Sequence, residues 1–170
     1  MEQSYQTLIS QLLDAAKSAG ASGADAMLAR GQSTSVSVRH GKVESSERSE
    51  DFDIGLRVFV GQQTASISTS QLDPDNIKEL AARAVAMAKL APEDPHVGLA
   101  TADQLAQHIP KLEIFDPAMP DADSLRQRAS DAEAAALAVH GITNSDGGNA
   151  GYGVVDVLIA TSNGFSAGYQ

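Results

Sequence analysis

The chain has 170 residues, with 12 Lys and Arg against 22 Asp and Glu, a net charge of −10 with its four His neutral. That balance argues against a phosphate-tracking surface, which is built from clustered cations, and 42% hydrophobic with 20% charged residues is the composition of a folded globular protein. The absence of Cys excludes a disulfide scaffold, a thiolate metal site and a cysteine nucleophile within these residues, and the absence of Trp with only 4% aromatics disfavours a base-stacking platform.

Tyr5, Leu8, Ile9, Leu12, Leu13, Ala16 and Ala19 recur at helical spacing, and Gly20 stands where a left-handed C-cap belongs. The pattern then changes period. Ala24 to Arg30 is a short apolar segment, and Val36 and Val38 alternate with Ser33, Ser35 and Ser37, so both read as strands. Arg39-His40-Gly41-Lys42 is a turn, after which Val43 resumes an extended run through Ser49. In the next strand Phe52, Ile54, Leu56, Val58 and Val60 face one way and Asp51, Asp53 and Arg57 the other, so one side is buried. Gly61-Gln62 fits a two-residue hairpin turn, and Ala65, Ile67 and Thr69 continue the alternation on the return strand. Residues 24 to 70 therefore predict an antiparallel meander.

Asp73-Pro74 opens a second helix with Asp as N-cap, and Ile77, Leu80, Ala81, Ala84, Val85 and Ala88 draw one apolar stripe to Lys89 that covers the sheet. Five of the six prolines lie between Pro92 and Pro120, interrupted by a short helical candidate from Thr101 to Ile109. A third helix is expected from Asp121 to His140, with Leu125, Ala129, Ala132, Ala136 and Val139 on one face and Gly141 as its stop. After Ile142-Thr143 and a Gly-rich polar stretch, a strand is expected from Val154 to Thr161, then an Asn163-Gly164 turn and the start of a partner strand.

This pattern predicts an α+β fold: an antiparallel meander covered by helices, followed by the start of a second, mostly β domain. The expected organisation is an N-terminal domain over 1–91, a Pro-rich linker with a short helix over 92–120, and the start of a second domain over 121–170. A final strand with no covering helix, in a domain of about 50 residues, is too small to hold itself together. A truncated piece of a longer polypeptide is therefore expected. The N-terminus has no basic n-region, and the longest apolar run, Val154 to Ala160, is broken by Asp156 and too short to span a bilayer. A cytoplasmic protein without a membrane partner is expected.

No motif in the chain supports a catalytic assignment. Gly164-Phe165-Ser166-Ala167-Gly168 matches the G-x-S-x-G nucleophile elbow, but that elbow needs a helix after its Ser and then an acid and a His downstream, and neither follows here. Gly147, Gly148, Gly151 and Gly153 follow a helix rather than preceding one, so they do not form a phosphate cradle. A mobile interdomain or substrate-facing loop is the better reading. Asn144 and Asp146 are too sparse for a calcium loop, since no Glu occurs after Glu133. His40, His96, His108 and His140 have no partner at a spacing that places two imidazoles on one helical face. His40 suits a turn and His140 a helix C-terminus. Asp73, Asp121 and Asp123 read as caps, and Asp51, Asp53, Glu44, Glu47 and Glu50 as a solvated sheet face. The residues thus nominate no catalytic or metal-binding side chain and leave substrate contacts unknown.

A series of segments in order adds what the motifs lack: Gly23-Ala24-Asp25-Ala26, Ser35 to Glu44, Ile54 to Gly61, Ala65 to Leu72, Asp94 to Ala100 and Ile142 to Gly148. Together they resemble the N-terminal part of the TldD/PmbA family. Ile142 to Gly148 and the Ser162-Asn163-Gly164-Phe165 turn are closer to its PmbA branch, also called TldE. The resemblance implies a cytoplasmic zinc-dependent peptidase of associated TldD-like and PmbA-like subunits, acting on extended peptides such as bacteriocin precursors and antitoxins. The older description "modulator of DNA gyrase" accompanies it. The family's metal ligands lie in a His-Glu-x-x-x-His helix of the TldD-like subunit, and no position here matches that motif. Zinc is accordingly expected in the TldD-like partner rather than in this chain, and the chain is expected to be a non-catalytic subunit. A homo-oligomer, a chain with its own zinc ligands beyond Gln170, and a module binding a toxin, antitoxin or gyrase-associated partner stay open as alternatives.

Overall fold

The computed structural model describes residues 2–71 and 76–170, with side chains from Tyr5 onward. Eight elements follow one another: α1 (Glu2–Ser18), β1 (Gly23–Arg39), β2 (Lys42–Val60), β3 (Gln63–Thr69), α2 (Ile77–Ala88), α3 (Ala122–Leu137), β4 (Gly148–Thr161) and β5 (Ser166–Tyr169). The strands form one five-stranded sheet in the order β3-β2-β1-β4-β5. The meander predicted for 24–70 is present, but its first two strands are longer than the hydrophobic pattern suggests. β1 runs unbroken for 17 residues and β2 for 19, because the strand segments expected on either side of Gly31-Gln32 and of Glu50 join without a break. β2 and β3 pair antiparallel with Val60 opposite Gln63, which leaves Gly61-Gln62 as the two-residue turn.

The residues group into two compact units that are not consecutive in sequence. One holds 1–30, 51–112 and 156–170, the other 31–50 and 113–155. The expected boundaries of 1–91, 92–120 and 121–170 do not coincide with them, since β1, β2 and β4 each contribute residues to both.

In the first unit α1 ends as predicted. Gly20 has φ +106°, its N–H reaches the Lys17 carbonyl and the Ala21 N–H reaches that of Ala16, the paired bonds of a Schellman cap. α1 buries Ile9, Leu12 and Ala16, and α2 buries Ile77, Ala81, Ala84, Val85 and Ala88. Both stripes pack on the alternating set Ile54, Leu56 and Val58 of β2 and Ala24, Ala26 and Leu28 of β1. The expected cap at Asp73 and Pro74 lies outside the described residues. α2 begins after Asn76, whose side chain does not cap it. No helix forms from Thr101 to Ile109. The Gln104 N–H reaches the Thr101 carbonyl in a single turn, and the chain does not continue it as a helix through Leu105 to Ile109.

In the second unit α3 is capped by Asp121, whose carboxylate accepts the Ser124 N–H at 2.8 Å. Its buried line is Leu125, Ala129 and Glu133, the first two packed with Val36 and Val38 of β1. The expected continuation through Ala132, Ala136 and Val139 is not buried; Val139 is 58% exposed. Helix α3 stops at Leu137, so His140 lies beyond its C-cap. The Gly-rich stretch read as a loop is mostly strand: β4 starts at Gly148 rather than Val154. A Cβ on Gly148 would collide with the Ala129 carbonyl oxygen of α3, so glycine is required there for backbone to approach backbone.

Candidate functional site

Residues that alternate with the core of the first unit's sheet point to its other face. Asp25 and Met27 alternate with Ala24, Ala26 and Leu28, Gly55 and Arg57 with Ile54, Leu56 and Val58, and Ser66 and Ser68 with Ile67. With Ile159 and Thr161 of β4 they floor a groove of about 650 Å³, walled by Leu99, Leu105 and Phe165. Four strands place these side chains because period-2 alternation buries one set and leaves the other free to line a site.

The Pro-rich segment is held beside this face by defined bonds. The Asp94 N–H reaches the Gln62 carbonyl at 2.8 Å, and Gln63 Nε2 donates to the Ala91 carbonyl at 2.7 Å. Asn163 Nδ2 donates to the Ala100 carbonyl at 2.8 Å. Leu99 lies beside Phe59 over Gly23, and Phe59 is buried at 4% exposure. This second buried layer is invisible in the alternation of β2, because the residues that cover it lie some forty positions away in the Pro-rich segment.

One ion pair marks the groove. Arg57 Nε and Nη2 both donate to Asp25 Oδ2, at 2.9 and 2.6 Å, and the Arg57 Cζ stands 5.2 Å from the Phe59 ring centroid. The guanidinium is half exposed, so the pair contributes little to stability, and its interest is geometric.

The second unit holds a buried acid. Glu133 is 3% exposed, and its two oxygens accept the backbone N–H groups of His40 (2.8 Å) and Gly41 (2.9 Å). Both turn residues have left-handed φ, 52° and 69°, so their N–H groups converge on one carboxylate. The Gly41 and His40 amides hold the Glu133 carboxyl below its ordinary range, with smaller help from the charges of His40 and Arg39, against the opposing effect of burial.

The other residues singled out in the sequence are dispersed. Ser166 is exposed on β5 opposite Ala160, in a strand rather than a strand-to-helix elbow. Asp51, Asp53, Glu44, Glu47 and Glu50 are exposed, Glu50 beside Arg48 and Glu44 3.9 Å from Arg39. Asp146 stands 3.7 Å from Arg39, and Asp123 3.5 Å from Arg126. Among the described residues no three His, Asp or Glu side chains come together in a way that could hold a metal ion. No helix of the described residues is long and apolar enough to cross a membrane.

Residues 24–88, from β1 through α2, match the family model described as PmbA/TldA metallopeptidase domain 1. Over 147 residues the chain is 37% identical to the metalloprotease PmbA homolog of Haemophilus influenzae, a match over 86% of this chain and 32% of that protein. It is 35% identical over 150 residues to metalloprotease PmbA of Escherichia coli O157:H7, over 86% and 33%. The chain belongs to the TldD/PmbA family. It spans about a third of the length of the curated relatives it matches. Solved structures share its fold. TldE from Thermococcus kodakarensis superposes with a TM-score of 0.78 at 15% identity, over 95% of this chain and 36% of that one. A Bacteroides thetaiotaomicron protein described as a candidate modulator of DNA gyrase gives 0.87 at 21% identity, over 96% and 38%. What the described residues of this TldD/PmbA member supply is a sheet with a groove on one face.

Proposed function

We propose that this chain is part of a PmbA/TldE-like, non-catalytic subunit of a cytoplasmic, heteromeric zinc-dependent peptidase whose metal is held by a TldD-like subunit. The reading is supported chiefly by the identity to two PmbA metalloproteases over 86% of the chain. Its substrates are extended peptides such as bacteriocin precursors and antitoxins. Recognition of such peptides suits a sheet with free edge strands and a groove on its face, because an extended chain is read by main-chain bonds and side-chain pockets. The subunit walls the substrate chamber and performs no bond cleavage itself.

The test is reconstitution. The full protein and a TldD-like subunit are purified separately and mixed, with zinc content measured by mass spectrometry and cleavage followed on an unstructured peptide. Cleavage only in the mixture, with stoichiometric zinc on the TldD-like subunit, is the expected outcome. Zinc and peptidase activity in this protein alone would overturn it and favour ligands beyond Gln170, a reading that the relatives' name "metalloprotease" keeps in play. Partner binding with no cleavage in any combination would instead make the protein an interaction module.

A further inference from the structure

Five apolar side chains of the groove, Met27, Leu99, Leu105, Ile159 and Phe165, belong to neither hydrophobic core of the chain. Met27 is 51% exposed on the groove floor, and Gly55 leaves the floor open beside it. A groove of about 650 Å³ lined mostly by apolar groups, with a few polar ones converging on it, has the size and composition of a ligand pocket.

The polar groups decide what kind of ligand. Asp25 and Arg57 both line the groove, and each uses only part of its hydrogen-bonding capacity on the other. Both guanidinium bonds fall on Asp25 Oδ2, leaving Oδ1 as an acceptor, and they come from Nε and Nη2, leaving Nη1 as a donor. A charged acceptor and a charged donor held side by side, next to an apolar cluster, complement a group that offers a donor and an acceptor side by side on an apolar substituent. An amide unit carrying a large apolar side chain has that form. A simple hydrocarbon would leave the ion pair unused, and a free anion would be repelled by Asp25 in a chain of net charge −10.

We propose that the groove of the first unit binds a peptide unit with a large apolar side chain, its N–H donating to Asp25 Oδ1, its carbonyl accepting from Arg57 Nη1, and its side chain seated among Met27, Leu99 and Phe165. The site deepens the extended-peptide reading proposed above and rests on it; because binding is read here with no cleavage and no second subunit, its failure would leave the subunit assignment to be tested separately by reconstitution.

Met27 makes the test direct. The full protein is labelled with ¹³C at its methionine methyls, the Met27 resonance is identified with Met27→Leu, and N-acetyl-phenylalanine amide is titrated in. The Met27 methyl is expected to shift and saturate in the millimolar range while the Met87 and Met119 methyls stay fixed. N-acetyl-glycine amide is expected to leave Met27 unmoved. Asp25→Asn keeps the shape and is expected to weaken binding about tenfold, the worth of one charged hydrogen bond. Ser68→Phe fills the groove and is expected to abolish the shift, with the circular dichroism spectrum confirming that the variant folds. Three results would overturn the proposal: no Met27 shift up to solubility, an equal response to toluene, or a Met27 shift that follows protein concentration without ligand. The last would make a second copy of the chain the occupant.

Discussion

Glu133 and Gly41 are joined by a hydrogen bond of 2.9 Å from the Gly41 backbone N–H to Oε2, across 92 positions of sequence. With the matching bond from His40 it fixes the β1–β2 turn to helix α3 within the second unit. The carboxylate is almost wholly removed from solvent, and the two amides take the place of its hydration.

A pH dependence follows from that bond. The folded-state pKa of Glu133 lies below its ordinary value of 4.5, so the charged form is favoured by folding. Its contribution is complete above that ordinary value and is lost as pH falls through the folded pKa. Chemical denaturation of the wild type from about pH 7 to about pH 3 should show stability falling at the acid end. In Glu133→Gln the fall should be shallower, and stability near neutrality should already be reduced, because the His40 and Gly41 N–H groups each use a separate oxygen and the amide's NH2 would face one of them. Equal acid slopes in the two proteins would show that Glu133 does not carry the effect.

Gly148 should tolerate no side chain. A Cβ there would overlap the Ala129 carbonyl oxygen, which belongs to a helix backbone and has nowhere to move. Gly148→Ala is expected to lower stability by about 1–3 kcal/mol, the usual cost of overpacking. Thermal denaturation beside Gly98→Ala, where a Cβ meets nothing within 4 Å, measures the difference.

Leu12 is fully buried between α1 and the sheet, whereas Leu90 is 88% exposed. Leu12→Ala is expected to cost about 2–5 kcal/mol through lost burial and the cavity left behind. Leu90→Ala should stay within about 0.5 kcal/mol of the parent. Urea titration of both distinguishes a core position from a surface one of the same residue type.

Ser166 should be chemically inert. It sits exposed on β5, paired opposite Ala160, in a strand rather than on the strand-to-helix turn that a nucleophile elbow needs. A fluorophosphonate probe is expected to leave it unlabelled, and Ser166→Ala to leave any hydrolytic activity unchanged. Labelling at Ser166 would reopen the serine-hydrolase reading.

The elements legible from sequence were those whose causes are local. The stripe from Ile9 to Ala16, the cap at Gly20, the Asp121 N-cap and the turns at Gly41, Gly61 and Gly164 each depend on residues within a few positions, where spacing and turn chemistry act directly. The single alternating set of β2 likewise declared one buried face. Tertiary structure alone decided the rest. The separately predicted strand segments on either side of Gly31-Gln32 and of Glu50 became the continuous strands β1 and β2, because strands already paired continue to satisfy their backbone groups. A glutamate took the buried place expected for Ala132 and Ala136 because two amides from a distant turn solvate it. The groove between Arg57, Leu99 and Phe165 exists because long-range bonds such as Asn163 to Ala100 bring separate segments to one face of the sheet. Periodicity records which side of an element is buried; which residue it meets there is set by the path of the chain.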